Sequence, residues 1–524
     1  PKLGAPSVPQ EQHERIRRGE PVDWANLPKE YIEWCKAEGY DHESEMSWII
    51  YIDANSLYPH AMTYPLPTGD YRKLPLPEEP SERLEKVNKI LERYTNESLT
   101  GYFIEVDFTI PEHLHDKFDY APVSKKVVSS EELSEHQRDI GAMLGSCAPS
   151  PKLVPFLGEH RKVLRHAALL KFWVDQGVVI TRVYNVWICS QSPWMMKYIL
   201  GMARKRAAST DPIEREILKK AMNSLYGKML QDKTTQRNLM PYTSARKFVR
   251  ACSRENCVKF NVMQYDKPGV GFFGLVESSK KNGPIMDMPR AAAFDLLEIS
   301  KVWMLVWHYE RIKKTYEVKA EILFTDTDSL CYKITCPCIM TELLFSYNPD
   351  EDELDRFITY FDLKEAISPQ DLIMYSQGCP LMLENLKQQL ALCKGKLGAM
   401  KLENQTSFIK EYVGLAAKMY SLKMVAHVDH EGNDKNDGIS IDYLKGKGVP
   451  TRALRANATH ETYKAMVVNP SVNRVSFRTL RSNKHVIEQL QIERKMLTAY
   501  NDKVYAVTPT YSRPIGHFRN HAPL

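Results

Sequence analysis

Asp326 and Asp328 occupy a tight turn between two strand-like runs, Ala320–Thr325 and Ser329–Ile334. Two carboxylates this close repel each other and gain nothing structurally unless something cationic sits beside them. A second apolar run, Trp48–Asp53, also delivers a carboxylate to its open end, and a new element starts near Pro59. Hard oxygen ligands at these positions suit Mg²⁺, which keeps several waters and binds substrate phosphates. Two such ions can activate an attacking hydroxyl and stabilise the leaving oxygen of a phosphoryl transfer. An isolated Asp-Thr-Asp is also an ordinary turn. The second carboxylate strand is what moves the reading toward chemistry.

A counter-charge lies between the two. Ile213–Leu230 reads as a helix after Pro212, a residue suited to a first turn. Arg215, Lys219, Asn223 and Tyr226 recur at helical spacing and share one face, with Leu218, Met222 and Leu225 on the adjacent apolar face. Cations meet phosphates and an aromatic packs on a base, so this stripe suits a nucleoside triphosphate. The bland alternative is a solvated helix face. Gly227 signals close backbone approach or the helix end.

The rest of the chain sets the frame. With 43% hydrophobic and 26% charged residues, it has ample core for a soluble globular protein. No run approaches the ~20 apolar residues of a membrane span. The start at Pro1 reads as a cut or an incomplete gene product, and no signal peptide is visible. The ten cysteines are dispersed and read as reduced thiols. The net charge of +6 is unevenly spread: residues 441–524 hold 14 Lys or Arg against 5 Asp or Glu. A polyanion partner is one explanation, a solvated surface the other. Lys445, Lys447, Arg452, Arg455, Arg474, Arg478, Arg481 and Lys484 belong to this excess. Residues 65–90 read as loop and linker, Val178–Ile188 as a strand, 285–316 as one long helix and Met382–Leu392 as helical.

The chain at this point resembles a known set of motifs. "DANSLYP" at 53–59, "KKAMNSLYG" at 219–227 and "FTDTDS" at 324–329 resemble motifs A, B and C of family B DNA polymerases, in that order. "AAKMYSL" at 416–422 resembles the Lys-x-Tyr motif of the protein-primed branch, which includes Polinton/Maverick-type and related viral enzymes. The likeness covers roughly residues 45–524.

The resemblance implies an α+β right-hand polymerase core of palm, fingers and thumb. Asp53 and Asp328 would be the principal ligands of two Mg²⁺ (Mn²⁺ as a substitute), with a carbonyl from Ala54 and with Asp326 in support. Tyr58 would lie under the incoming sugar and exclude a 2′-hydroxyl. Lys219, Asn223 and Tyr226, with Arg215 as one of several candidate cations beside Arg204, Lys205 and Arg206, would hold the incoming dNTP. Lys418 and Tyr420 would touch the primer, and Lys445 and Lys447 would join the DNA path. The partners implied are template and primer DNA, dNTPs and a terminal protein. The expected parts are a tail at 1–46, palm at 47–165 and 236–440, fingers at 166–235 and thumb at 441–524. Residues 60–165 and 231–284 leave room for insertions that contact a terminal protein and encircle the template.

Two features depart from the family pattern. Phe324 stands where motif C often has Tyr. Only 52 residues precede Asp53, too few for the usual 3′–5′ exonuclease, so that domain is expected to be absent from this chain. Asp41 and Glu43 fit an Asp-x-Glu signature but lie too close to motif A. A catalytically inactive nucleic-acid-binding relic is the reading from another class, and a reverse transcriptase is a weaker enzymatic rival.

Overall fold

A computed structural model describes residues 29, 46–145, 149–263, 272–279, 286–336, 339, 343, 361–363, 380–403, 407–426, 440–483 and 486–520. Asp41, Glu43 and nearly all of the expected 1–46 tail lie outside the described residues, as does Lys484. The fold is α+β.

Strand Met46–Ala54 sits inside the main sheet. The order is Ala320–Asp326, Ser329–Cys336, Met46–Ala54, Ser407–Ala416, Met419–Ala426, Ser440–Lys445, with neighbours antiparallel. The short strand Met400–Leu402 also pairs with the end of Met46–Ala54 and, in parallel, with Phe361–Asp362. Successive side chains point to opposite faces of a strand. Ile50, Ile52 and Ala54 therefore enter one core with Leu330, Tyr332, Ile334, Trp307 and Phe361. Tyr51 and Asp53 take the other face, where Tyr51, Phe324, Tyr412 and Tyr420 gather.

A second sheet has the order Leu66–Lys73, Val179–Ser192, Thr100–Thr109, His160–His166. Helix Arg290–Val306 links the two cores. Ala292, Leu296 and Ile299 pack with the second sheet, while Met304 packs under the first. The helical path continues through a π-helical stretch, Trp307–Ile312, to Lys313–Tyr316, so the long helix is present with one irregular turn. Pro289 precedes its start. The helix expected near Met382–Leu392 spans Pro380–Cys393.

Residues 65–90 depart from expectation. They form the strand Leu66–Lys73 and most of the helix Pro80–Arg93, not a linker. The prolines that suggest a loop are placed where they cost little. Pro67 lies in an edge strand and Pro80 at the first helical turn. Leu84, Val87 and Leu91 then turn one face of the helix onto the core.

The basic C-terminal segment is spread over several places. Ser440–Lys445 is the edge strand of the main sheet. Helices Thr451–Asn457 and His460–Val468 pack with the hairpin Val472–Asn483 and Val486–Thr498. The end of the chain then returns to the segment after the first carboxylate strand. The Leu157 amide donates to the Ile515 carbonyl at 2.9 Å, and Gln137 Nε2 donates to the carbonyls of Asn501 and Val504 at 2.6 and 2.8 Å. Among the described residues, no helix is long and apolar enough to cross a membrane.

Candidate active site

The register of the main sheet brings the two carboxylate segments together. Asp53 stands opposite Ser329, and the Ala54 amide donates to the Asp328 carbonyl at 2.7 Å. The turn itself closes with the Asp328 amide donating to the Asp326 carbonyl at 2.7 Å. Thr327 between them has φ 64°, a left-handed conformation that a non-glycine residue adopts at some cost. Carboxylates far apart in sequence thus meet on one end of one sheet.

Electrostatics mark the same spot. Burial, with Asp328 next to it, pushes the Asp53 carboxyl up to about 7, and the Lys401 ammonium only partly offsets this. Burial also raises Asp328, with Asp326 and Glu403 adding to the effect. Acids that resist ionising together are stabilised in their charged form by a cation set between them. Among the described residues, no group of three or more His, Cys, Asp and Glu side chains is placed to hold a metal. Two carboxylates still fit Mg²⁺, which fills its octahedron with water and substrate phosphate.

Two further residues stand next to these acids, and no sequence pattern points to either. Lys401 is the cross-strand neighbour of Asp53, and its Nζ lies 3.5 Å from Asp53 Oδ1 and 3.3 Å from Glu403 Oε1. The strand at this place, Met400–Leu402, has three residues and no alternation to read. It is fixed from outside. The Asn55 amide donates to the Ala399 carbonyl, the Gly398 amide to the Asn55 carbonyl, and the Glu403 amide to the Tyr51 carbonyl, each at 2.8 Å. Asn55 Nδ2 donates to Asp362 Oδ2 at 2.9 Å, and the Gly395 amide donates to the same oxygen at 2.7 Å.

The Asp53 strand leads through Ser56, at φ 51°, into the short helix Leu57–Ala61. Tyr58 on that helix is half-buried, and its ring centroid lies 4.6 Å from that of Tyr226. Burial raises the Tyr58 phenol, and Tyr226 and Asp328 add smaller contributions. Tyr226 belongs to helix Pro212–Met229, whose start is capped by Asp211 Oδ1 accepting from the Ile213 amide at 2.9 Å. Helix Met196–Ala208 packs against it. Met222 is fully buried, and Leu225 packs against the same core, as the apolar stripe implies. Arg215, Lys219 and Asn223 are exposed and run outward from Tyr226. They span about 12 Å of helix at 1.5 Å per residue. Of the two readings of Gly227, the helix end is the one the structure favours: a Cβ there would meet nothing within 4 Å, and the helix ends two residues later.

Lys418 sits at the turn after Ser407–Ala416 with φ 61°, and its Nζ pairs with Asp326 Oδ1 at 3.0 Å. Tyr420 is 4% exposed. Its ring stacks on Phe324 with centroids 4.2 Å apart, and its hydroxyl meets that of Tyr51 at 3.4 Å. The pocket around Phe324 is thus aromatic on several sides, and a ring without a hydroxyl fills it. Lys445 pairs in register with Tyr420 and lies over the Tyr443 ring at 5.0 Å, while Lys447 is exposed just beyond the strand.

Residues 40–240 match the family model of DNA polymerase type B, organellar and viral. The matched region holds Asp53, Ala54 and Tyr58 and the whole helix of Lys219 and Asn223, and it ends before the Asp326–Asp328 turn. Similar solved structures include phi29 DNA polymerase complexed with primer-template DNA and incoming nucleotide substrates, at 14% identity and TM-score 0.44, covering 87% of this chain and 59% of that one. The orthorhombic crystal form of phi29 DNA polymerase is similar at 13% identity and TM-score 0.44, covering 89% and 63%. The chain therefore spans about three-fifths of the length of those polymerases. No curated protein sequence matches it.

Proposed function

We propose that this chain is a DNA-directed DNA polymerase that adds dNTPs to a primer 3′-hydroxyl and releases pyrophosphate. The observation that carries the proposal is the register that sets Asp53 beside Asp328 at the end of one sheet. In this reading the main sheet, with its edge strand Ser440–Lys445, is the palm, the helix pair Met196–Ala208 and Pro212–Met229 the fingers, and the remainder of 441–524 the thumb.

Asp53, Asp328 and the Ala54 carbonyl would hold the divalent ions, with Asp326 in support. Two Mg²⁺ bound there would supply an activated 3′-hydroxyl and charge neutralisation on the leaving pyrophosphate. The residues of the chain do the rest. Lys219 and Arg215 project cations for the triphosphate, and Asn223 adds an amide. Tyr58 and Tyr226 form an aromatic floor between those cations and Asp328, where a sugar and base can rest. Lys418 pairs with Asp326, and in this reading it would meet the primer terminus there. Tyr420 acts from below, as part of the packing that fixes the Phe324 strand, with its exposed surface small.

Replication of a virus-like or mobile element from a protein primer extends the same reading. It is supported by the organellar and viral family of residues 40–240 and by the Lys418-Met419-Tyr420 motif. The test is primer extension on a DNA template with Mg²⁺ and either dNTPs or rNTPs, with Asp328→Asn as control. Template-dependent extension with dNTPs, lost in the control, is the expected result. DNA binding with no extension by the intact chain would return it to the inactive-relic reading.

A further inference from the structure

We propose that Lys401 is a tethered stand-in cation that holds Asp53 in place when the site is empty and yields that oxygen to an arriving divalent ion by turning to Glu403. This rests on the polymerase reading above, because it takes Asp53 and Asp328 as the cation ligands.

The geometry points to it in three ways. First, Lys401 is placed by backbone pairing, not by chance reach. Its Cα is the antiparallel partner of the Asp53 Cα, and the strand that carries it is clamped by the bonds from Asn55, Gly398 and Glu403. Second, Nζ stands between two carboxylates at nearly equal distances, 3.5 Å to Asp53 Oδ1 and 3.3 Å to Glu403 Oε1. A lysine ammonium is a compact point charge on a flexible stem. It can release one oxygen while keeping the other, with no backbone movement. Third, a second cation at these acids, Lys418, pairs with Asp326 instead. Lys401 and Lys418 thus each neutralise a different carboxylate of the set.

The consequence has a definite sign. A divalent ion that uses Asp53 must displace Lys401 from Oδ1, so the lysine competes with it directly. The lysine also lowers the negative potential the ion enters. Removing the charge therefore tightens metal binding. A guanidinium grips a carboxylate through a rigid fork, so it should release Asp53 less readily than an ammonium does.

The experiment is a titration of the metal-free chain with Tb³⁺, read by tyrosine-sensitised luminescence, and with Mn²⁺, read by electron paramagnetic resonance. No turnover is involved in either readout. Wild type, Lys401→Met, Lys401→Arg and Asp328→Asn are compared, with melting curves to confirm folding. Lys401→Met should bind at least threefold tighter than wild type, and Lys401→Arg at least twofold weaker. A Met variant with unchanged or weaker affinity overturns the proposal, as does an Arg variant as tight as wild type. The Arg comparison decides the matter if the Met variant does not fold. Asp328→Asn separates this from the underlying reading. If it binds as tightly as wild type, the carboxylate pair is not the cation site and the polymerase assignment itself loses its support.

Discussion

The Ala54 amide donates to the Asp328 carbonyl at 2.7 Å, so the end of the first strand is bonded to the very turn that carries the second acid. Asp328→Asn should leave that backbone bond intact, because the side chain takes no part in it. The turn keeps its shape and the site loses one negative charge. Nucleotide incorporation should fall by about 100-fold or more, the scale for losing one group that stabilises transition-state charge. Gel-shift affinity for primer-template should stay near wild type. Extension at wild-type rate in the same preparation would sink the ligand assignment.

The basic C-terminal surface needs a finer probe than deletion. Removing residues 441–524 would strip the edge strand Ser440–Lys445 from the main sheet and the tail that bonds to Gln137 and Leu157. Two of the cations are also engaged locally, since Arg474 pairs with Glu493 and Arg481 with Glu488 across their hairpin. Lys445, Lys447, Arg452 and Arg455 are exposed. Replacing these four with Gln should weaken duplex binding. The slope of log K against log salt should shrink by about 0.9 for each phosphate that is no longer neutralised. An unchanged slope in a folded variant would assign them to plain solvation.

A pH dependence follows from His60. Its ring packs 4.3 Å from Trp303, its Nε2 is buried, and burial together with nearby Lys396 lowers it to about 4. The unfolded chain takes up a proton near pH ~6.5, the native chain only near 4. The His60 contribution to stability is therefore full above about pH 6.5 and is lost as pH drops toward about 4, by up to about 3 kcal/mol. His160 is also lowered to about 4 by burial and adds to the same fall. His60→Phe should reduce the slope by about 1.4 kcal/mol per pH unit, one proton's worth, in urea unfolding between about pH 4 and 7, where the raised Asp53 carboxyl contributes with the opposite sign. Wild-type and variant curves that run parallel would show that His60 protonates as easily folded as unfolded.

What is legible in the sequence divides along physical lines. Asp53, Asp328 and the face of Arg215, Lys219, Asn223 and Tyr226 are readable because each lies in a local pattern: an apolar strand, a turn, a helical stripe. The hairpin and the helix of Lys219 have close to the expected bounds for the same reason. Lys401 and Glu403 are not readable. Their neighbourhood to Asp53 comes from cross-strand pairing between segments far apart, which no local periodicity encodes. Residues 65–90 differ for another reason. Proline density suggests a loop, whereas Pro67 and Pro80 sit at positions that need no amide hydrogen bond. The return of the C-terminal tail onto residues 115–157 is likewise a tertiary choice.

The last test concerns sugar choice at Tyr58. Its ring lies beside that of Tyr226, and its phenol feels Asp328, so it sits between the helix of cations and the acid pair. A nucleotide bridging those two groups would set its sugar against this ring. Exclusion of a 2′-hydroxyl would then be steric, made by the ring and not by the phenol. Tyr58→Val should admit ribonucleotides far more readily, and Tyr58→Phe should still exclude them. The packing on Tyr226 offers a rival account, in which the ring only braces the two helices. In that case both substitutions would lower stability or overall rate, Val more than Phe, and leave the sugar ratio untouched. Measuring kcat/KM for dCTP and CTP on one template separates the accounts, because that ratio reports differential transition-state binding and is insensitive to the fraction of folded enzyme. An unchanged dCTP-to-CTP ratio in Tyr58→Val would leave Tyr58 as a helix brace with no part in selection.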